Sequence, residues 1–230
     1  MDRTLMELVF VLDRSGSMHG LEADTIGGYN SMICGQRRGG RALVTTVLFN
    51  GDSRIVHDRV PIHRVCEMSR DSYTVFGCTA MLDAVGSTIE RISCEQRLSE
   101  ERPSSTIFVV ITDGEENASI RYSWERVSEL VTKKRSEGWK FLFYGANVDA
   151  GEVARRMGMD SGESTGYRCD STGIREVYRS VSEKVTSLRC VDDRCPHGHM
   201  MPGAIQFRYS TRGTDTVNRR TQLASPWKKS

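Results

Sequence analysis

Two hydrophobic periods alternate along the first 188 residues of the chain. Short runs rich in β-branched and aromatic residues, bounded by Gly, Asn, Asp or Pro, predict strands over 8–12, 42–49, 54–60, 106–112 and 140–145. Leu8-Val9-Phe10-Val11-Leu12 and Ile107-Phe108-Val109-Val110-Ile111 are apolar on both faces, as central strands of a parallel sheet must be when helices cover each side. The run 54–60 carries His57, Asp58 and Arg59 and follows the turn signal Asn50-Gly51-Asp52, so it is expected to pair antiparallel with the preceding strand at a sheet edge. Apolar residues recur at helical spacing in Met81, Leu82, Val85, Ile89 and Ile92, and again in Trp124, Val127, Leu130 and Val131. A third helix follows from Ile174, Val177, Tyr178, Val181, Val185 and Leu188, and a shorter one from Val153, Ala154 and Met157. Residues 21–34 form another, with Leu21, Tyr29 and Met32 or Ile33 on one stripe. Its Gly27-Gly28 pair costs about 1 kcal/mol per glycine against Ala, which points to close packing rather than helix stability. Strands alternating with helices specify a doubly wound α/β domain: a mostly parallel sheet with one antiparallel edge strand and helices on both faces.

Composition narrows this picture. A chain of 230 residues, 38% hydrophobic and 27% charged with a net charge of +2, has the bulk of one ordinary globular domain plus an appended segment, and is not disordered throughout. The early apolar run 8–12 falls far short of the ~20 residues needed to span a bilayer. Glu7 interrupts the region where a secretory signal would be most apolar, so a cytoplasmic location is expected. In that compartment the seven cysteines, at 34, 66, 78, 94, 169, 190 and 195, are expected to be free, buried thiols. The charge is unevenly placed. From Arg189 onward eight Lys/Arg face three Asp, a net +5, which leaves −3 on the first 188 residues. The expected organisation is a folded domain over 1–188 and a basic C-terminal extension over 189–230.

Three segments place oxygen-bearing side chains just after a buried strand or at a helix start: Asp13-Arg14-Ser15-Gly16-Ser17, Thr79 before the second long helix, and Asp113 after the other central strand. Ligands of doubly wound sheets bind outside the carboxyl ends of strands, at the point where neighbouring strands send their chains to opposite faces. Two carboxylates and three hydroxyls suit a hard octahedral cation, Mg²⁺ or Mn²⁺, rather than zinc or copper. Neutral hydroxyls leave such a cation under-neutralised, so its open position calls for an anionic oxygen from elsewhere. Taken singly, Ser17 and Thr79 also fit the role of helix N-caps.

Asp-x-Ser-x-Ser, a distant Thr in a Gly-x-Thr-x-x-x-Asp-Ala setting, and Thr-Asp-Gly together resemble the metal-ion-dependent adhesion site of the von Willebrand factor type A family, which includes integrin I domains. All five positions match, at Asp13, Ser15, Ser17, Thr79 and Asp113, and the resemblance covers roughly residues 5 to 188. Thr25-Ile26-Gly27-Gly28-Tyr29-Asn30 and Thr112-Asp113-Gly114-Glu115-Glu116-Asn117 look most like the small stand-alone bacterial members. The resemblance implies a Rossmann-like sheet in the order 3-2-1-4-5-6 with that antiparallel edge. It also implies that Ser15 and Ser17 bind Mg²⁺ directly, that Thr79 does so in a ligand-engaged state, and that Asp13 and Asp113 act largely through coordinated waters. An Asp or Glu carboxylate of a protein partner would complete the shell, and movement at Thr79 and Asp113 would make binding switchable.

An Mg²⁺-dependent phosphatase or hydrolase is the competing expectation. Asp13 invites comparison with haloacid-dehalogenase-type phosphatases, but the second Asp of that pair is here Ser15, which removes the proton donor. Neither a phosphate-binding Gly-x4-Gly-Lys-Ser/Thr nor a dinucleotide Gly-x-Gly-x-x-Gly is present, and Ser15-Gly16-Ser17 is not a nucleophile elbow. His19 is expected exposed at the first helix start. Cys190, Cys195, His197 and His199 are too tightly spaced for the usual paired zinc knuckle, and free thiols with solvated histidines are expected there. Ile205, Phe207 and Tyr209 alternate as a short added strand would, and the rest of the tail reads as solvated rather than nucleic-acid-binding. Cys78, beside Thr79, is expected to be a buried packing thiol.

Overall fold

The computed structural model describes residues 5–192. In chain order these form β1 (Met6–Asp13), α1 (Glu22–Gln36), β2 (Ala42–Phe49), β3 (Ser53–Pro61), α2 (Met81–Leu98), β4 (Ser105–Thr112), α3 (Trp124–Ser136), β5 (Lys140–Gly145), α4 (Ala150–Arg156), β6 (Ser164–Gly166) and α5 (Ser171–Asp192). The sheet runs β3-β2-β1-β4-β5-β6, parallel throughout except for β3, which returns antiparallel on β2. This is the expected order and the expected edge. β6 is the element the hydrophobic pattern does not announce, being three residues, Ser164-Thr165-Gly166, paired among the described residues to β5 alone.

The central strands divide their side chains between two cores, as period-2 alternation requires. Met6, Leu8, Phe10 and Leu12 of β1 and Ile107, Val109 and Ile111 of β4 join α1 and α5 on one face. Val9, Val11, Phe108 and Val110 join α2, α3 and α4 on the other. Close approach of α1 and α5 explains Gly28, where a Cβ would lie 2.4 Å from the Tyr178 ring. The last helix runs on to Asp192. Arg189 is buried there, its guanidinium donating to Gln36 O at 2.8 Å and Gly40 O at 3.0 Å.

The expectation of buried thiols is overturned for every described cysteine whose side chain is placed. Cys34, Cys66, Cys78, Cys94 and Cys169 are free but exposed, because they sit off the apolar stripes of α1 and α2 or in connecting loops that no core layer covers. Cys195, His197, His199, the run Ile205, Phe207 and Tyr209, and the side chain of Cys190 lie outside the described residues.

Glu7, the polar interruption in β1, is fully buried at the amino ends of the strands. An irregularity in the β2–β3 pairing near Thr46, with Arg59 at φ 48°, carries the Arg59 guanidinium across to it. Arg59 Nε donates to Glu7 Oε1 at 2.9 Å and its Nη2 to Oε2 at 3.1 Å, while Gln96 Nε2 reaches Oε2 at 3.2 Å. Removing one partner of a buried pair leaves an uncompensated charge, which costs about 3–5 kcal/mol. Glu7→Ala is therefore expected to lose roughly that much unfolding free energy in urea, with Glu7→Met/Arg59→Met recovering most of it. A single-variant loss under about 1 kcal/mol would contradict this account.

Candidate functional site

β1 and β4 are parallel neighbours with Leu12 opposite Ile111, so the next residues, Asp13 and Thr112, end their strands side by side and Asp113 follows one step beyond. The chain leaving β1 enters α1 on one face while the chain leaving β4 enters α3 on the other, which opens a crevice between them. Asp13 turns its carboxylate into this crevice. Oδ1 accepts from Ser15 N at 2.7 Å and Oδ2 from Thr112 Oγ1 at 2.5 Å. The first bond tightens the turn after β1 and aims Ser15 and Ser17 the same way. Their hydroxyls lie 3.0 Å apart, and Ser17 Oγ donates to Asp113 Oδ1 at 2.5 Å.

Thr79 comes from a different part of the chain and is fixed from three directions. Its N–H donates to Asn117 Oδ1 at 2.9 Å, its carbonyl accepts from Asn117 N at 3.0 Å, and the next residue, Ala80, donates to Asn50 O at 2.7 Å. The loop before it is tied to the Asp13 turn by Gly16 N to Gly77 O, 3.0 Å, and Phe76 N to Arg14 O, 3.0 Å. Gly77 adopts φ 80°, a conformation that favours glycine. Gly114 closes the cradle: a Cβ there would lie 3.2 Å from Ser17 Oγ and 3.4 Å from Thr79 Oγ1. The five expected residues are thus brought together. The capping alternative does not hold, since α2 is capped at Ala80 without a side-chain bond and Ser17 spends its hydroxyl on Asp113.

Supporting residues escape the sequence reading. Tyr73 OH donates to Asp13 O at 2.5 Å and Tyr167 OH to Thr112 O at 3.0 Å, fixing both strand ends from below. Asp83 accepts from Ile120, Arg121 and Tyr122 N–H groups, and Glu116 from Leu82, Ala118 and Ser119, locking the loop after Asp113 onto the start of α2. Asn50 is visible in the sequence only as a turn residue, and the tyrosines give no local signal. On the outer side of Asp113, Cys169 Sγ lies 3.3 Å from Oδ2. His19 is exposed, as expected, and turns to Glu22 at 3.4 Å.

The donor set fits a divalent cation on three grounds. Asp13 and Asp113 are each 1% exposed, yet among the described residues neither forms an ion pair with a Lys or Arg. Burial pushes the Asp13 carboxyl up to about 6, against the hydrogen bonds from Thr112 and Ser15 that lower it and with Asp113 adding to the rise. Finally, the hydroxyls of Ser15, Ser17 and Thr79 face one small cradle that a methyl group at position 114 would crowd. Among the described residues no group of three His, Cys, Asp or Glu side chains is placed to hold a metal, so any cation here depends on the hydroxyls. Beside the cradle opens a groove of about 290 Å³ whose lining includes Gly114, Glu115, Trp124, Val148 and Arg156.

No protein-family model matches the sequence, and no curated protein matches it. Solved structures do match the fold. The PilB minor pilin from Streptococcus sanguinis superposes with a TM-score of 0.60 at 13% identity, covering 80% of this chain and 62% of that one. A von Willebrand factor type A protein from Catenulispora acidiphila gives 0.56 at 14%, covering 80% and 43%. Proximal thread matrix protein 1 of the mussel byssus, in a structure described as having a zinc-occupied MIDAS motif, gives 0.52 at 13%, covering 80% and 46%. The chain spans less than two thirds of the length of each of these.

Without a cation, Asp13 makes the domain pay for holding a buried carboxylate. A carboxyl raised in the folded state favours folding below its unfolded value near 3.8, and that contribution is lost as pH rises through about 6. In EDTA, Asp13 should therefore contribute a loss of stability of at most about 3 kcal/mol between pH 4 and pH 6, opposed by carboxyls held low, such as Asp83 and Glu90. Asp13→Asn, whose amide still accepts from Ser15 N, should flatten that slope and match or exceed the wild type at pH 7. A steeper slope in the variant would show that Asp13 is not the group responsible.

Proposed function

We propose that this chain, whose fold is that of a von Willebrand factor type A domain, is a non-catalytic binding module that takes a divalent cation, Mg²⁺ or Mn²⁺, at Asp13, Ser15, Ser17, Thr79 and Asp113 and uses it to hold an Asp or Glu carboxylate of a partner protein. The observation that carries this reading is the run of short oxygen contacts from Ser15 through Ser17 to Asp113, with Thr79 facing the same cradle across Gly114. When bound, the cation supplies a Lewis-acidic position for an anionic oxygen. The chain's own residues do the rest. Asp13 orients the turn through Ser15 N, Thr112 holds Asp13, and Asn117 sets the height of Thr79. The groove beside Gly114 offers Trp124 and Val148 to residues flanking the partner's carboxylate.

Hydrolysis finds less support. Proton transfer needs an acid or base within reach of the reacting group, and the histidine nearest in sequence, His19, turns away to Glu22. That a structurally similar pilin and a byssus protein carry this fold agrees with an interaction role, and the pairing with a carboxylate is the finer part of the proposal.

Calorimetric titration of chelator-stripped protein with Mg²⁺ and Mn²⁺ tests the site. One cation per chain is expected, with a stabilisation of about 2.7 kcal/mol at a hundredfold excess over Kd. Asp13→Ala and Ser15→Ala/Ser17→Ala should abolish the heat while the far-ultraviolet dichroism stays native. Any partner captured in Mg²⁺ should leave in EDTA and fail to bind Asp13→Ala; a partner retained in excess EDTA overturns the carboxylate-through-cation reading.

A further inference from the structure

The groove beside Gly114 has a charge pattern of its own, and from it we infer that the partner presents a Lys or Arg side chain two residues from the carboxylate that meets the cation. This rests on the reading of Asp13, Ser15, Ser17, Thr79 and Asp113 as a cation site that takes a partner's carboxylate.

Strand order sets the position. β4 and β5 are parallel neighbours with Thr112 opposite Gly145, so the chains leaving them emerge side by side at the carboxyl edge of the sheet. Gly114 and Glu115 from the first, and Val148 and Asp149 from the second, line the groove of about 290 Å³. Gly114 also closes the cradle, where a Cβ on it would meet Ser17 Oγ at 3.2 Å and Thr79 Oγ1 at 3.4 Å. A carboxylate at the cradle and a side chain in the groove are therefore near neighbours along one partner segment. In an extended segment, residues i and i+2 share a face and stand about 6.5 Å apart, whereas residue i+1 points away.

The lining selects the occupant. Trp124, Val148 and Val153 are partly buried against the core under α2, α3 and α4, and the rest of their apolar surface faces the groove. Around them stand Glu115, Glu116, Asp149 and Glu152, against Arg156 alone among the cationic residues of the lining. Glu152 is engaged by Arg155, at 2.7 and 2.9 Å, and Glu116 by the backbone N–H groups of Leu82, Ala118 and Ser119. Glu115 and Asp149 are exposed, and among the described residues neither pairs with a Lys or Arg. An apolar wall rimmed by unpaired carboxylates matches a side chain with a hydrocarbon stem and a cationic head. The groove already holds one contact of this chemistry, the Arg156 guanidinium lying 3.8 Å from the Trp124 ring centroid. An acidic side chain would be repelled by the rim, and a wholly apolar one would gain nothing from it.

The test follows amide chemical shifts of the Mg²⁺-loaded full chain during titration with the capped peptides Gly-Asp-Gly-Lys-Gly and Gly-Lys-Gly-Asp-Gly, each against analogues in which norleucine or Glu replaces Lys. In one order or both, the Lys peptide should bind about 3–10-fold tighter than its norleucine analogue, with the Glu analogue weakest. In Glu115→Gln/Asp149→Asn, the new Asn can still accept from Glu152 N as Asp149 does at 3.0 Å, so α4 keeps its cap. There the Lys and norleucine peptides should bind within about twofold of each other, while Mg²⁺ affinity by calorimetry moves less than about threefold because both side chains are solvated and screened. Equal affinity of the Lys and norleucine peptides for the wild type in both orders, or a Lys preference that survives the double variant, overturns the inference. The reading beneath it fails by different observations: no heat from Mg²⁺, no peptide bound by the Mg²⁺-loaded chain, or peptide affinity that EDTA leaves unchanged.

Discussion

The parallel ladder between β1 and β4 sets the other distances at the site. Its register puts Asp13 level with Thr112, and the Thr112 hydroxyl closes the 2.5 Å bond that holds the Asp13 carboxylate in the crevice. A slip of one residue would turn Asp13 to the opposite face of the sheet, because side-chain direction has a period of two. Leu8, Phe10 and Leu12 would move with it, from the α1/α5 core into the α2/α3 core. Burial of the apolar alternation on both faces therefore fixes the register, and the register fixes the spacing of the two carboxylates.

That placement opposes stability locally. Two carboxylates that are 1% exposed, without cationic side chains beside them, are held by neutral donors: Ser15 N and Thr112 Oγ1 on Asp13, and Ser17 Oγ and Cys169 Sγ on Asp113. Elsewhere the same fold pairs its buried acid fully, as Glu7 with Arg59 shows at the opposite end of the sheet. The contrast sets a buried acid that is paired by a cationic side chain against two that are not, which is what the proposed cation site would require. The near-neutral total of +2 conceals this, since it sums −3 over the first 188 residues and +5 over the remaining 42, and a bound divalent cation would make the crevice attractive to carboxylates despite that negative sum.

Legibility in the sequence followed the range of the interaction. The five long strands and the helices announced themselves because each carries its own apolar period, and the five residues proposed for the cation could be expected to converge because they sit where those strands and α2 begin or end. β6 was not readable: Ser164-Thr165-Gly166 has no hydrophobic period and owes its extended form to the open edge of β5. The loop carrying Cys169 follows β6, so the thiol at Asp113 was hidden with it, while Cys78, adjacent to Thr79 in sequence, drew attention and proves to be exposed. Asn50, Tyr73, Asn117 and Tyr167 were missed for a related reason. Their bonds join residues 26 to 60 positions apart, and no local pattern encodes such a pairing.

Those long-range bonds decide how the site can move. Thr79 is linked in both directions to Asn117, Glu116 holds Leu82 N, and Asp83 holds three consecutive backbone N–H groups over 120–122. The start of α2 and the loop after Asp113 therefore form one hydrogen-bonded body. Ser15 and Ser17 belong to another, fastened to Gly77 and Phe76 through the turn after β1. The two are joined through the short stretch from Gly77 to Thr79, through Asn50, which accepts from Ala80 N and donates to Phe76 O, through Thr112 on Asp13, and at the cradle through the Ser17–Asp113 contact, with Gly114 leaving the gap between the Ser17 and Thr79 hydroxyls clear. A cation held there would replace a hydrogen bond between neutral and anionic oxygens with a charge that both groups of residues face. Any change in the distance of Thr79 from the serines then carries the whole 116–122 loop with it, rather than a single side chain.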